Sequence, residues 1–131
     1  MQANRARDTS AELLLRRALW KRGLRYRLHV RSLPGKPDIV FRRQYVAVFV
    51  DGDFWHGRKW AQRKSKLKRG SNSSYWVRKI KYNIDRDQLV AKELERQGWL
   101  VVRLWEGDIR GNLEQAVEIV LAALGRPASD S

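Results

Sequence analysis

Tyr45 to Val50 is six residues of aromatic and aliphatic side chain with no charge among them. A strand half-exposed to water alternates apolar with polar, so a nearly continuous apolar run reads as a strand covered on both faces. That constrains the rest of the chain, which must supply neighbouring strands and apolar elements for each face of a sheet. With 131 residues the chain is expected to do this as a single domain, 1–131, long enough for a real core and too short for two.

The neighbours are readable. Thr9-Ser10-Ala11-Glu12 has the form of a capping box, apolar residues recur at 11, 14, 15, 18 and 19, and Gly23 stops the pattern, which predicts a helix over 9–22. Arg25 to Val30 and Pro37 to Arg42 read as strands, the second preceded by the turn Pro34-Gly35-Lys36-Pro37 and joined by Arg42-Arg43-Gln44 to the strand Tyr45 to Val50 in a tight antiparallel hairpin. Periodicity then disappears from Gly52 to Asn72, a predicted loop. Ser73 and Ser74 cap a long helix ending near Gln97 and Gly98, Trp99 to Trp105 is a fourth strand, Asn112 to Leu124 a last helix, and the tail from about 126 is frayed. This order packs most economically as an α/β fold, a mixed four-stranded central sheet flanked by helices.

The charge is lopsided: 28 Lys and Arg against 14 Asp and Glu, a formal +14. Such a field repels itself and is usually offset by a polyanion, so nucleic acid is the expected partner, ahead of an anionic membrane surface, for which no basic amphipathic helix is evident. No apolar run approaches the roughly 18 residues of a membrane span, and no leader peptide opens the chain, which points to a cytoplasmic, nucleoid-associated protein. Cysteine is absent, so any metal must sit on oxygen or imidazole.

Several residues stand against the structural pattern. In the long helix the apolar stripe Val77, Ile80, Ile84, Ala91, Leu94 has Asp87 where the spacing demands an apolar residue, a costly placement without an arginine or a metal beside it. Asp38 opens one strand of the hairpin and Asp51 ends the other, so antiparallel pairing brings them together at one sheet edge, where two acids suit a hard cation such as Mg²⁺. His56 is then the group best matched to take a proton from water, although a lone loop histidine is more often structural. His29, in a strand, reads as structural. Phe54 and Trp55, in the basic loop, are either a local apolar anchor or a wedge for unstacking bases. Arg58, Lys59, Arg63, Lys64, Lys66, Lys68 and Arg69 form a basic run suited to phosphate contacts, which position a duplex without specifying its sequence.

Taken in order, "RARDTSAELLLRRAL", "LPGKPDIVF", "VAVFVDGDFWHG", "YWVRKIKYNIDRDQ" and "QGWLVVRLWE" resemble the very-short-patch repair (Vsr) endonucleases, mismatch-directed nicking enzymes of the PD-(D/E)XK nuclease superfamily, across roughly residues 1 to 110. The resemblance implies a restriction-endonuclease-like core. It assigns Asp38 to the metal-holding aspartate, the main-chain carbonyl of Val50 to a second ligand, His56 to the general base, and Glu12 and Asp87 to outer acids that hold water around the metal. Phe54, Trp55 and Trp76 match the aromatic wedge, and Met1 a methionine that enters the duplex from the opposite groove. Two departures stand out. The family's structural zinc positions correspond here to Asp53, Arg58, Trp60 and Gly107, so no structural zinc is expected. Asp51 replaces a histidine common among relatives, an added carboxylate that strengthens the metal site or moves it toward Mn²⁺.

The expectation is therefore a monomeric Mg²⁺-dependent endonuclease that nicks one strand of duplex DNA beside a T:G mismatch, with Asp38, Asp51, His56, Glu12 and Asp87 catalytic and Asp38, Val50 and Asp51 on the metal. Two alternatives stay open: a nuclease of the same fold acting on intact, modified or branched DNA in defence or mobile-element biology, and a non-catalytic DNA-binding module.

Overall fold

The computed structural model describes residues 9–52 and 73–125. Helix α1 (Ser10–Lys21) begins where the sequence places it: the Thr9 hydroxyl accepts a hydrogen bond from the Glu12 N–H at 3.2 Å, satisfying a first-turn donor. It ends through Gly23, whose φ of +86° lets the chain turn back so that the Leu24 N–H reaches the Leu19 carbonyl at 3.2 Å.

Strands β1 (Arg27–Leu28), β2 (Ile39–Phe41), β3 (Val46–Asp51) and β4 (Leu100–Trp105) form one sheet in that order. The β1–β2 and β2–β3 pairs are antiparallel and β3–β4 is parallel, so the sheet is mixed, four-stranded and flanked by helices, as expected for a restriction-endonuclease-like core. A parallel pair needs a crossover, and helix α2 (Ser73–Arg96) lies in that connection. The hairpin register Ile39↔Val48, Val40↔Ala47, Phe41↔Val46 puts Asp38 and the end of β3 at the same sheet end.

Both faces of the sheet are covered. Val46 and Val48 of β3 join Ala11, Leu15 and Leu19 of α1, Ile109, and Val117 and Val120 of the last helix in one cluster. Ala47 and Phe49, the alternate residues, join Val40, Leu94 of α2 and Trp99 in a second. The period-two split of one apolar run between two cores is what a doubly covered strand requires.

Two elements differ from expectation. The first strand is two residues long, because His29 adopts φ +50° and swings out of the extended region. The ladder bonds nevertheless continue, His29 N–H to the Asp38 carbonyl at 3.0 Å and Val30 N–H to the Pro37 carbonyl at 3.2 Å. Helix α3 (Glu106–Gly111) precedes α4 (Leu113–Ala123), where the sequence pattern predicts only the second. It carries glycines at 107 and 111 and has no side-chain cap at Trp105; it is held instead by Ile109, which is fully buried, so tertiary packing overrides weak local propensity. Among the described residues no helix is long and apolar enough to cross a membrane.

Candidate active site

Asp38 immediately precedes β2, at the exit of the Pro34–Pro37 turn. Its backbone N–H donates to the Val48 carbonyl at 3.0 Å, and its carboxylate Oδ2 accepts from the Val50 N–H at 2.7 Å. The side chain is thus fixed to the backbone of β3 across the hairpin. The carboxyl is nearly buried, and this burial pushes its pKa up to about 7, opposed by the Val50 hydrogen bond. The negative charges of Glu12 and Asp51 raise it further and Arg103 lowers it. A carboxylate held at an end of the sheet among other acids is a group that a cation relieves.

Glu12 comes from the opposite direction, on α1, and is 1% exposed. Its backbone serves the helix cap while its Oε2 lies 3.1 Å from Arg16 Nη1 and 3.0 Å from His29 Nε2. His29 Nδ1 is 3.7 Å from Asp38 Oδ1. Glu12, His29 and Asp38 each present one donor atom within 4.8 Å of the other two. Two carboxylates and an imidazole are a fitting donor set for a divalent cation.

Asp51, at the end of β3, is 5% exposed and close enough to Asp38 to act on its titration. Both of its oxygens, however, accept hydrogen bonds from Arg103 Nη1 at 3.0 Å. The same nitrogen lies 3.7 Å from Asp87 Oδ1 on α2, and the guanidinium stacks 4.2 Å from the centroid of Phe49. Parallel pairing accounts for this: Phe49 sits opposite Arg103 and Asp51 opposite Trp105, so Arg103 emerges on the sheet face that α2 covers. The sequence-predicted acids are therefore divided. Asp38 and Glu12 converge with His29, whereas Asp51 and Asp87 converge on Arg103. The arginine pairing anticipated as the simple explanation of Asp87 is present, and Asp51 is held by a guanidinium in addition to neighbouring Asp38.

Two members of this constellation carry weak sequence signals. His29 reads from sequence as a strand histidine; what sets it apart is its φ of +50°, which no local pattern encodes. Arg103 is a single charge within Leu100–Trp105, an otherwise apolar strand, and that interruption was the available clue. Trp76 falls within α2 and Gly107 within α3. Met1, Asp53, Phe54, Trp55, His56, Arg58, Lys59, Trp60, Arg63, Lys64, Lys66, Lys68 and Arg69 lie outside the described residues.

A helix-flanked mixed sheet that gathers buried acids at the end of its central hairpin is the architecture of a restriction-endonuclease-like core. The profile of the family described as DNA mismatch endonuclease Vsr matches residues 1–62. The chain is 45% identical to a type II nicking enzyme of Neisseria meningitidis serogroup C over 124 residues, 95% of this chain and 82% of the relative. It is 42% identical to a type II nicking enzyme of Haemophilus parainfluenzae, covering 86% of this chain and 79% of the relative. Against the DNA mismatch endonuclease Vsr of Escherichia coli (strain K12) the identity is 35%, covering 85% and 69%. The chain belongs to the Vsr family of DNA endonucleases. That membership makes the chain a DNA endonuclease rather than a non-catalytic DNA-binding module.

Proposed function

We propose that the protein is a Mg²⁺-dependent endonuclease, monomeric, that nicks one strand of duplex DNA beside a T:G mismatch. The observation that carries it is Asp38, buried, tied to the Val50 amide and set beside Glu12 at the end of the β2–β3 hairpin. Asp38 and the main-chain carbonyl of Val50 would hold the cation, with Glu12 and Asp87 ordering water around it. Bound there, Mg²⁺ supplies charge stabilisation to the scissile phosphate and its leaving oxygen. Asp51 serves this site chiefly through its charge, since Arg103 engages both its oxygens.

His56 takes the proton from the attacking water, a role suited to imidazole near neutral pH. Phe54 and Trp55, with Trp76 and Met1, pry the stack open next to the target pair, and unstacking costs least where pairing is already poor. A mismatch preference follows from that difference. Arg58, Lys59, Arg63, Lys64, Lys66, Lys68 and Arg69 contact phosphates and set register on the duplex.

The test is a nicking assay on matched, T:G-mismatched and branched duplexes with the divalent metal varied. Wild type should nick the T:G duplex preferentially. Asp38→Ala should keep DNA binding and lose cleavage, and Trp55→Ala should lose mismatch preference more than affinity. Preferential cutting of matched or branched DNA would instead place the protein in defence or mobile-element biology, and normal cutting by Asp38→Ala would remove the metal assignment.

A further inference from the structure

We propose that His29 is a direct nitrogen ligand of the divalent cation at the Asp38 site, and that this nitrogen gives the site a tighter hold on Mn²⁺ and Co²⁺ than on Mg²⁺; the inference rests on the metal-dependent nuclease function proposed above.

Three elements meet here: His29 from the bend after β1 and Asp38 immediately before β2 face the cation, while Glu12 of α1 meets the other ring nitrogen as an outer carboxylate. Their donor atoms lie within 4.8 Å of one another. Around a cation with bonds of about 2.1 Å, donors at right angles lie about 3.0 Å apart and opposed donors about 4.2 Å apart. The 3.7 Å from His29 Nδ1 to Asp38 Oδ1 falls in that range, and the other ring nitrogen, Nε2, is 3.0 Å from Glu12 Oε2, the carboxylate that orients the ring. The ring is not a surface group, its side chain being 17% exposed between two carboxylates that are more deeply buried.

The backbone holds it there. The His29 N–H donates to the Asp38 carbonyl at 3.0 Å, so imidazole and carboxylate rise from one hydrogen-bonded rung. The φ of +50° turns residue 29 out of the strand, in a conformation that histidine, asparagine and aspartate enter more readily than other side chains. Carboxylates and carbonyls suit Mg²⁺, whereas imidazole raises affinity for transition metals over it. One nitrogen added to an oxygen set therefore separates Mn²⁺ and Co²⁺ from Mg²⁺ without excluding Mg²⁺.

The experiment uses the full chain without DNA, titrated calorimetrically with Mn²⁺, Co²⁺ and Mg²⁺, and His29→Asn, which tolerates the left-handed backbone. His29→Asn should weaken Mn²⁺ and Co²⁺ at least about tenfold and Mg²⁺ by no more than about twofold. Electron spin echo envelope modulation of bound Mn²⁺ should show ¹⁴N coupling in the wild type and in His56→Asn, and none in His29→Asn. Equal weakening for all three metals, or ¹⁴N coupling that survives His29→Asn, overturns the proposal and leaves His29 a hydrogen-bonding neighbour of Glu12. His29→Gln serves as a second variant, and circular dichroism of each variant confirms folding. Mg²⁺-supported nicking by the wild type tests the nuclease function separately, whatever the titrations give.

Discussion

Arg103 Nη1 donates to both carboxylate oxygens of Asp51 at 3.0 Å, joining the end of β3 to β4 across 52 positions of sequence. The carboxylate is 7% exposed and the guanidinium 24% exposed, so this is a largely desolvated pair. Such pairs add little net stability over an apolar replacement, but removing one partner strands the other charge.

Arg103→Leu is therefore expected to destabilise the fold by about 3 kcal/mol, because Asp51 is left without its guanidinium. Adding Asp51→Leu in the same chain should recover most of that loss. Urea denaturation at pH 7 of the two single variants and the double variant measures the coupling. Losses that simply add would mean that Arg103 and Asp51 are not energetically paired.

Asp38 yields a pH prediction for the metal-free protein. Its folded pKa of about 7 lies above the ordinary value of 3.8, with burial the main cause, so the native state binds the proton more tightly than the unfolded chain does. Its contribution to stability is fully present below the unfolded value and is lost as pH rises through about 7. Asp38→Asn, which keeps an acceptor for the Val50 amide, removes this titration. The variant should be more stable than wild type at pH 8, by on the order of 2–4 kcal/mol, and the difference should shrink toward pH 4. Thermal denaturation in chelator across that range checks it, and parallel profiles for the two proteins would contradict it.

Gly35 anchors the turn that presents Asp38. It has φ +76°, and a Cβ there would lie 2.5 Å from Val90 Cγ1 on α2 and 3.2 Å from Phe49 Cε1. Gly35→Ala should cost about 2 kcal/mol or more, combining a left-handed backbone with overlap against packed side chains. Val90→Ala in the Gly35→Ala background should relieve the overlap and leave about 1 kcal/mol of backbone cost. Denaturant midpoints of the three proteins separate the two contributions.

Much of this architecture was legible before any coordinates. The Thr9 cap, the Gly23 stop and the run Tyr45 to Val50 are local signals, and each led to the element observed there within a few residues. The hairpin reasoning brought Asp38 to the end of β3, because register follows from a short turn and alternate-face burial. Asp87 was conspicuous because it interrupts an apolar stripe on α2. Helix α3 was not legible, since its stability comes from burying Ile109 rather than from its own glycine-containing sequence.

The candidate site divides along the same line. The sequence by itself determined which residue types stand at which strand end: an aspartate after a Pro-Gly turn, another closing a buried strand, a strongly basic chain around them. Those are consequences of periodicity and composition, which act over a few residues. Only the tertiary structure decided that Asp51 and Asp87 face Arg103 while Glu12 and His29 face Asp38. The reason is physical: a carboxylate leaving water takes whichever cation or donor the fold carries to it, and that partner is chosen by the parallel register of β3 with β4 and by one positive φ at His29, neither of which is a local property of the chain.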